Sequence, residues 1–157
     1  MRIGIGYDIH RYAEDPPLVL GGVHFPDEPG LSGHSDADAV LHAIIDAMLG
    51  AAGLGDIGRH FPPDDPAYAG ADSRVLLRRA LEMVQETGYQ VENIDVTVIA
   101  ERPKLAPHVS NMVLAIAQAL SVEPHRVNLK ATTNEGIGAI GRGEGIAAMA
   151  VALLAER

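Results

Sequence analysis

Strand-like and helix-like segments alternate along this chain, and their order restricts the folds open to it. Extended or β-branched segments, which predict strands, cover residues 2–9, 18–25, 91–100 and 127–133. Apolar residues at helical spacing predict helices over residues 36–52, 73–88 and 106–120. Amphipathic helices must bury their apolar faces, so we expect an α/β fold, an α+β sandwich in which helices cover a sheet.

The last segment, residues 145–156 with the sequence GIAAMAVALLAE, fits two structures. Its alanine content favours a helix. Its continuous apolar run also fits a buried strand, which periodicity alone does not exclude.

Composition narrows the class of protein. With 157 residues, 47% of them hydrophobic, the chain is expected to form one domain over residues 1–157. Aromatic residues are only 4% and Trp is absent, so Ala, Leu, Val and Ile must fill the core. The lack of cysteine excludes disulfides, thiolate metal sites and cysteine nucleophiles. The net charge of -9 argues against nucleic acid or an anionic membrane as the main partner. We expect no signal peptide and no membrane span.

The start of the first helix could bind an anion. Ser35 is a good N-cap, and Asp38 three residues later completes a pattern like a capping box. Free amides beside His34, Ser35 and Asp36, together with the helix dipole, would suit a phosphate. Simple capping is the alternative.

Two groups of residues suggest a metal site. Asp8 and His10 are two apart in a predicted strand, so they face the same side. Asp38, His42 and Asp46 are spaced by four and share one helix face. Two imidazoles and a carboxylate form a common catalytic zinc site in which one coordination position stays open. The flanking acids could support such a site by orienting the imidazoles. A chance Asp-x-His pair and a packed histidine are the alternative.

The long loop at residues 54–72 is rich in Gly, Pro and Asp, and a loop of this length is often functional. Its carboxylates Asp56, Asp64 and Asp65, with Gly58, could accept hydrogen bonds from polyol hydroxyls. A solvated acidic loop is the alternative.

Two polar segments follow predicted strands. Residues 130–135 carry hydroxyls and backbone amides that suit phosphate, and Glu135 could hold Mg²⁺. Residues 100–105 place Lys104 beside a proline-containing turn, where it could meet a phosphate. Arg142 and Glu144 could form an ion pair. Polar or basic surface turns are the alternative for both segments.

Together these segments resemble one family, the 2-C-methyl-D-erythritol 2,4-cyclodiphosphate synthases. The resemblance extends from Met1 to Glu156. Its motifs, in order, are RIGIGYDIH, LVLGGV, HSDADAVLHAIIDAMLGAAGLGDIG, FPPDDPAYAGADSR, ERPKL, NLKATTNEGIG and GRGEGIA.

The resemblance implies roles for individual residues. Asp8, His10 and His42 match the zinc ligands, and Glu135 matches the ligand of a second divalent cation, Mg²⁺ or Mn²⁺. His34 and Thr133 match catalytic positions that stabilise the transition state. The remaining substrate contacts it implies are Ser35, Asp56, Gly58, Phe61, Asp64, Asp65, Ala100, Lys104, Leu105, Ala106, Thr132 and Arg142.

The implied reaction is an intramolecular phosphoryl transfer in non-mevalonate isoprenoid biosynthesis. The 2-phosphate of 4-diphosphocytidyl-2-C-methyl-D-erythritol 2-phosphate attacks the β-phosphorus, and CMP leaves. Such a step needs positioning and charge neutralisation rather than a protein nucleophile. The segment from Phe61 to Tyr68 is the expected lid that excludes water.

The resemblance also implies a cytoplasmic homotrimer with active sites between subunits. The final segment becomes a strand, giving a four-stranded mixed sheet with helices on one face, in a ferredoxin-like arrangement. Relatives can hold an isoprenoid diphosphate near Arg142, in a cavity on the three-fold axis. Two departures are Pro63, where Asp is frequent, and Ala139, where a bulky apolar residue is frequent.

Two other functions would use the same residues. A zinc phosphohydrolase would release CMP or phosphate without closing a ring. A non-catalytic trimeric phospho-ligand-binding protein would hold a structural zinc, although three protein ligands leave one position open.

Overall fold

A four-stranded mixed sheet forms the centre of the computed structural model, which describes all 157 residues. The strands, in chain order, are β1 (Arg2–Arg11), β2 (Leu18–Leu20), β3 (Val23–Phe25), β4 (Tyr89–Ile99), β5 (Val127–Thr132) and β6 (Gly145–Glu156). The main sheet has the order β1-β6-β4-β5, in which only β4 and β5 are parallel, while β2 and β3 form a separate hairpin.

Helices connect these strands and cover the sheet. They are α1 (Ala39–Ala52), α2 (Ile57–His60), α3 (Ser73–Glu86), α4 (Val109–Leu120) and α5 (Gly138–Gly141). The predicted α/β fold with a mixed four-stranded sheet is confirmed. The long loop differs from the prediction because it contains α2 and a 3₁₀ turn at Pro66–Tyr68.

The final segment is the strand β6, so its alanine content was misleading. β6 lies between β1 and β4, and Ala148 faces Asp8 on one side and Val98 on the other. A central strand buries its side chains and satisfies its backbone on both edges, and this tertiary setting overrides the helix propensity of alanine.

The helix α1 packs directly against β1 at two glycines. A Cβ built on Gly6 would lie 1.9 Å from the carbonyl oxygen of Ala43, and one on Gly4 would lie 2.1 Å from that of Ala47. The close approach therefore requires glycine at both positions. His42 directly precedes Ala43, so the same close approach places His42 next to the end of β1.

The predicted start of α1 was wrong. The helix begins at Ala39, and its N-cap is Asp38 rather than Ser35. The Asp38 carboxylate accepts hydrogen bonds from the amides of Leu41 (3.1 Å), Gly21 (2.9 Å) and Gly22 (2.8 Å). Burial raises the pKa of Asp38 to about 6. The expected anion site at this helix end is therefore filled by the protein's own carboxylate.

Candidate active site

Three predicted metal ligands meet where β1 faces α1. The Oδ2 atom of Asp8 lies 2.7 Å from Nε2 of His10 and 3.1 Å from Nδ1 of His42, and the two nitrogens are 3.3 Å apart. Asp8 and His10 share a face because they alternate along β1, as the sequence predicted.

The size of this triangle fits a zinc ion. Zinc bonds of about 2.0–2.1 Å in a tetrahedron place neighbouring donor atoms about 3.3 Å apart. The observed spacings of 2.7, 3.1 and 3.3 Å approach that value without rearrangement of the backbone. The donors Asp8, His10 and His42 can therefore hold a metal ion and leave a coordination position for an exogenous oxygen.

Hydrogen bonds behind the ligands fix their orientation. The carbonyl of Ser32 can only accept, so Nδ1–H of His10 donates to it over 2.9 Å and leaves Nε2 directed at Asp8. On the far side of the His42 ring, Nε2 lies 2.8 Å from Oγ of Ser73 and 3.1 Å from Oγ of Ser35.

Electrostatics couple Asp8 and His10. Burial raises the pKa of Asp8, but hydrogen bonds to His10 and His42 outweigh it, so this pKa lies below the ordinary 3.8. Burial lowers the pKa of His10, but the hydrogen bond to Asp8, the charge of Asp8 and the bond to the Ser32 carbonyl together outweigh it, so this pKa lies above the ordinary 6.5. A proton therefore competes with a metal ion at His10 near neutral pH.

The acids expected to orient the imidazoles have other roles. Asp38 caps α1, and the carboxylate of Asp46 accepts from the amide of Ile57 over 2.7 Å. Neither carboxylate bonds to His42. Sequence spacing correctly placed these residues on α1 or at its cap, but it did not reveal that backbone amides would take their carboxylates.

A cavity of about 210 Å³ opens beside the metal-ligand triangle. The predicted residues His34, Ser35, Gly58 and Phe61 line it, and so does Pro63. The loop acids point elsewhere. The carboxylate of Asp65 accepts from the amide of Ala67, that of Asp56 accepts from the amide of Arg59, and Asp64 does not line the cavity. The main chain of Asp65 does reach the site, since its carbonyl lies 2.7 Å from Nε2 of His34.

A second cavity, of about 410 Å³, lies where β4 and β5 end. Six predicted substrate contacts line it: Ala100, Lys104, Leu105, Ala106, Thr132 and Thr133. The sequence missed Glu101, whose Oε1 accepts from the amides of Asn134 (3.1 Å) and Gly136 (3.2 Å). Glu101 thereby holds both neighbours of Glu135, which is exposed and has a left-handed backbone with φ 53.

Arg142 lines neither cavity. Its guanidinium bonds to Glu144 over 2.8 Å, which confirms the expected ion pair. Glu144 also contacts Arg11 over 3.4 Å and borders a third cavity, of about 240 Å³, which includes Ala139.

The first two cavities lie toward opposite edges of the same sheet. The register aligns Ile9 with Ala147, Ala147 with Ile99, and Ile99 with Thr132. The metal-ligand strand and Thr132 are thus three strand spacings apart, or about 14 Å.

Three side chains able to hold a metal ion, with a cavity beside them, are typical of a metal-dependent enzyme, and comparison with known proteins identifies the family. The sequence profile of the YgbB family matches residues 1–155. The chain belongs to that family.

Individual relatives agree with this assignment. The chain is 61% identical over 157 residues to the 2-C-methyl-D-erythritol 2,4-cyclodiphosphate synthase of Symbiobacterium thermophilum, with 100% of each chain covered. Among solved structures, the bifunctional IspDF of Campylobacter jejuni superposes with a TM-score of 0.96 at 42% identity, covering 99% of this chain and 42% of that one. A CDP complex of IspF from Plasmodium falciparum gives a TM-score of 0.86 at 34% identity, with 99% and 96% covered. None of the helices combines the length and the apolar character that a membrane span requires.

Proposed function

We propose that this chain converts 4-diphosphocytidyl-2-C-methyl-D-erythritol 2-phosphate to 2-C-methyl-D-erythritol 2,4-cyclodiphosphate and CMP, as a metal-dependent phosphorus–oxygen lyase of isoprenoid biosynthesis. The observation that carries this proposal is the full-length identity of 61% to a synthase of that name. The triangle of Asp8, His10 and His42 supports it, because it offers an open metal site beside a cavity.

The reaction needs no protein nucleophile. An oxygen of the 2-phosphate forms a bond to the β-phosphorus, and the bond from that phosphorus to the bridging oxygen breaks, so CMP leaves with that oxygen. Catalysis then depends on folding the substrate and neutralising its charge. Bound zinc would polarise phosphate oxygens at the triangle, and Mg²⁺ or Mn²⁺ held by Glu135 would offset charge on the diphosphate.

The remaining residues would position the substrate. We assign the polyol phosphate to the cavity containing His34, Ser35 and Gly58, and the cytidine to the cavity containing Ala100 and Lys104. His34 and Thr133 would stabilise the transition state. Phe61 would close over the polyol, and the loop acids would reach its hydroxyls by leaving their present bonds to the amides of Arg59 and Ala67. Exclusion of water there prevents hydrolysis.

The exposed face of β1, on the side away from α1, supports a homotrimer. Ile3, Ile5, Tyr7 and Ile9 point away from α1 and are 46–72% exposed. An apolar patch of this kind is typical of a surface that binds another subunit. In the proposed trimer, the zinc side of one subunit would face the nucleotide cavity of the next. The chain would act in the cytoplasm, and an isoprenoid diphosphate would bind near Arg142 on the three-fold axis.

The reaction is tested by ³¹P NMR of the purified protein with substrate, zinc and Mg²⁺. A cyclic diphosphate together with CMP would support the proposal. CMP with an open-chain bisphosphate would identify a hydrolase instead, and no turnover by zinc-loaded protein would favour a binding protein.

Shared sites are tested by mixing two inactive variants, His42→Ala and Lys104→Ala. In trimers reassembled from equal amounts, a random arrangement pairs an intact zinc side with an intact nucleotide side at about a quarter of the interfaces. Activity should return to that fraction of the wild-type value. If each subunit used its own two cavities, mixing would restore none.

A further inference from the structure

We infer that Asp36 and Ser73 are positioning residues for the metal ligand His42, acting through a buried relay of hydrogen bonds. The inference rests on the proposed metal site, because it explains how one of its ligands is oriented. Neither residue belongs to the metal-ligand triangle, and neither lines the cavity beside it.

The relay begins at the His42 ring. Nε2 of His42 lies 2.8 Å from Oγ of Ser73, and the Ser73 hydroxyl in turn bonds to Oδ1 of Asp36. Ser73 is fully buried and His42 nearly so. Water therefore has little access to replace either bond, and the protein must satisfy both groups itself.

The direction of each bond follows from the donors present. An ionised carboxylate only accepts, so the single hydroxyl proton of Ser73 goes to Asp36. Oγ of Ser73 then presents a lone pair to His42, and the ring proton must be on Nε2. A metal ion would replace the hydrogen bond from Nδ1 to Asp8, and the relay would then keep the remaining ring proton on Nε2 and leave Nδ1 free as a ligand.

Ser35 does not replace Ser73 in this role. Its Oγ is 3.1 Å from Nε2 of His42 and also accepts from the amide of Ala37 over 3.3 Å. Its hydroxyl proton has no fixed acceptor in the relay, and Ser35 faces the cavity. Ser35 is therefore free to donate to a substrate oxygen, while Ser73 is committed to the ring.

Asp36 is itself rigidly held. Its Oδ2 accepts from the amide of Ser73 over 3.0 Å, and its own amide donates to the carbonyl of Ala71 over 3.0 Å. The relay thus ties the segment before α1 to the start of α3 and to a ligand on α1. Loss of such outer contacts typically weakens metal binding by about 10- to 100-fold.

The test measures zinc dissociation constants by competition with a chromophoric chelator. The variants are Ser73→Ala, Asp36→Asn and the double variant, with Ser110→Ala, an exposed serine in the first turn of α4, as the control. We expect each single variant to weaken zinc binding by about tenfold or more, and the control to leave it unchanged. Because the two residues act in series, the double variant should bind no more weakly than Ser73→Ala.

Unchanged affinity in Ser73→Ala, or losses that multiply in the double variant, would overturn the relay. Circular dichroism and melting temperature report separately the effect of losing the Asp36 contacts with the amides of Ser73 and Asp38 on the fold. Long-range ¹H–¹⁵N spectra of the metal-free protein provide a second readout, with the His42 proton expected on Nε2 in the wild type. A His42 ring without a proton on Nε2 would also overturn the relay, whereas absence of zinc binding in the wild type would refute the metal site itself.

Discussion

Gly6→Ala should damage both the stability of the fold and the metal site. The added Cβ would lie 1.9 Å from the carbonyl oxygen of Ala43 and 2.7 Å from the amide nitrogen of Ala47. Real Cβ contacts essentially never fall below 3.0 Å, so β1 and α1 must separate by about 1 Å at this point. Both atoms belong to the helix backbone, so no side chain can rotate away to relieve the clash.

The magnitude follows from overpacking. Inserting a methyl group into a closely packed interface typically costs about 1–3 kcal/mol, and backbone contact places this change at the upper end. The same displacement would move His42, beside Ala43, away from Asp8, two residues beyond Gly6. Their donor atoms are 3.1 Å apart, and an added separation of about 1 Å exceeds what a tetrahedral zinc site tolerates.

Denaturant unfolding of the metal-free protein measures the first effect, and chelator competition measures zinc affinity. Gly50→Ala is the matched control, because it also adds a methyl group to this part of the fold but meets no atom within 4 Å. In the helix α1 it should stabilise by up to about 1 kcal/mol. If Gly6→Ala matched the wild type in both assays, the close approach of β1 and α1 would not be what sets the site geometry.

Three further outcomes follow from individual contacts. Glu135→Gln should raise the Mg²⁺ concentration for half-maximal activity about tenfold and leave zinc content unchanged, and an unaltered Mg²⁺ titration would reject that ligand. Because the pKa of His10 is raised above 6.5, zinc must displace a proton from His10 at pH values below that pKa. Apparent zinc affinity should then fall by about tenfold for each pH unit between about pH 6 and pH 5. A zinc affinity that does not change with pH over this range would contradict the prediction. Tyr12→Phe removes the hydroxyl that donates to the carbonyl of Arg102 but keeps the ring under its guanidinium, 4.9 Å away. It should cost about 1 kcal/mol of stability and raise KM several-fold with little change in kcat. An unchanged KM would show that this contact does not position the neighbouring cavity proposed for the nucleotide.

Local patterns were sufficient for most of the secondary structure and for the positions of the candidate metal ligands. Alternation along β1 placed Asp8 and His10 on one face, and helical spacing placed His42 on α1. Each of these inferences depends only on the period of a strand or a helix, which tertiary contacts do not alter. The resemblance supplied the remaining step, that β1 and α1 bring the three side chains together.

Features set by distant contacts were not predictable in the same way. Ser35 and Asp38 are both good helix caps. Asp38 is the N-cap of α1 because the β2–β3 hairpin brings the amides of Gly21 and Gly22 to its carboxylate. Ser73 began a predicted helix, but its bond to His42 spans 31 residues of sequence. Only the folded arrangement shows that a buried hydroxyl at a helix start serves a ligand on another helix.

Small residues between α1 and β1 determine how closely the candidate metal ligands approach one another. Ala43, Ala47 and Ala51 recur every four residues on α1, and the first two oppose Gly6 while the last two oppose Gly4. Small residues on both surfaces let the two backbones approach until a methyl group would overlap a carbonyl oxygen. That closeness brings Nδ1 of His42 within 3.1 Å of a carboxylate on β1. Larger side chains at this interface would bury more apolar surface, but they would separate the helix from the strand and the metal ligands from one another.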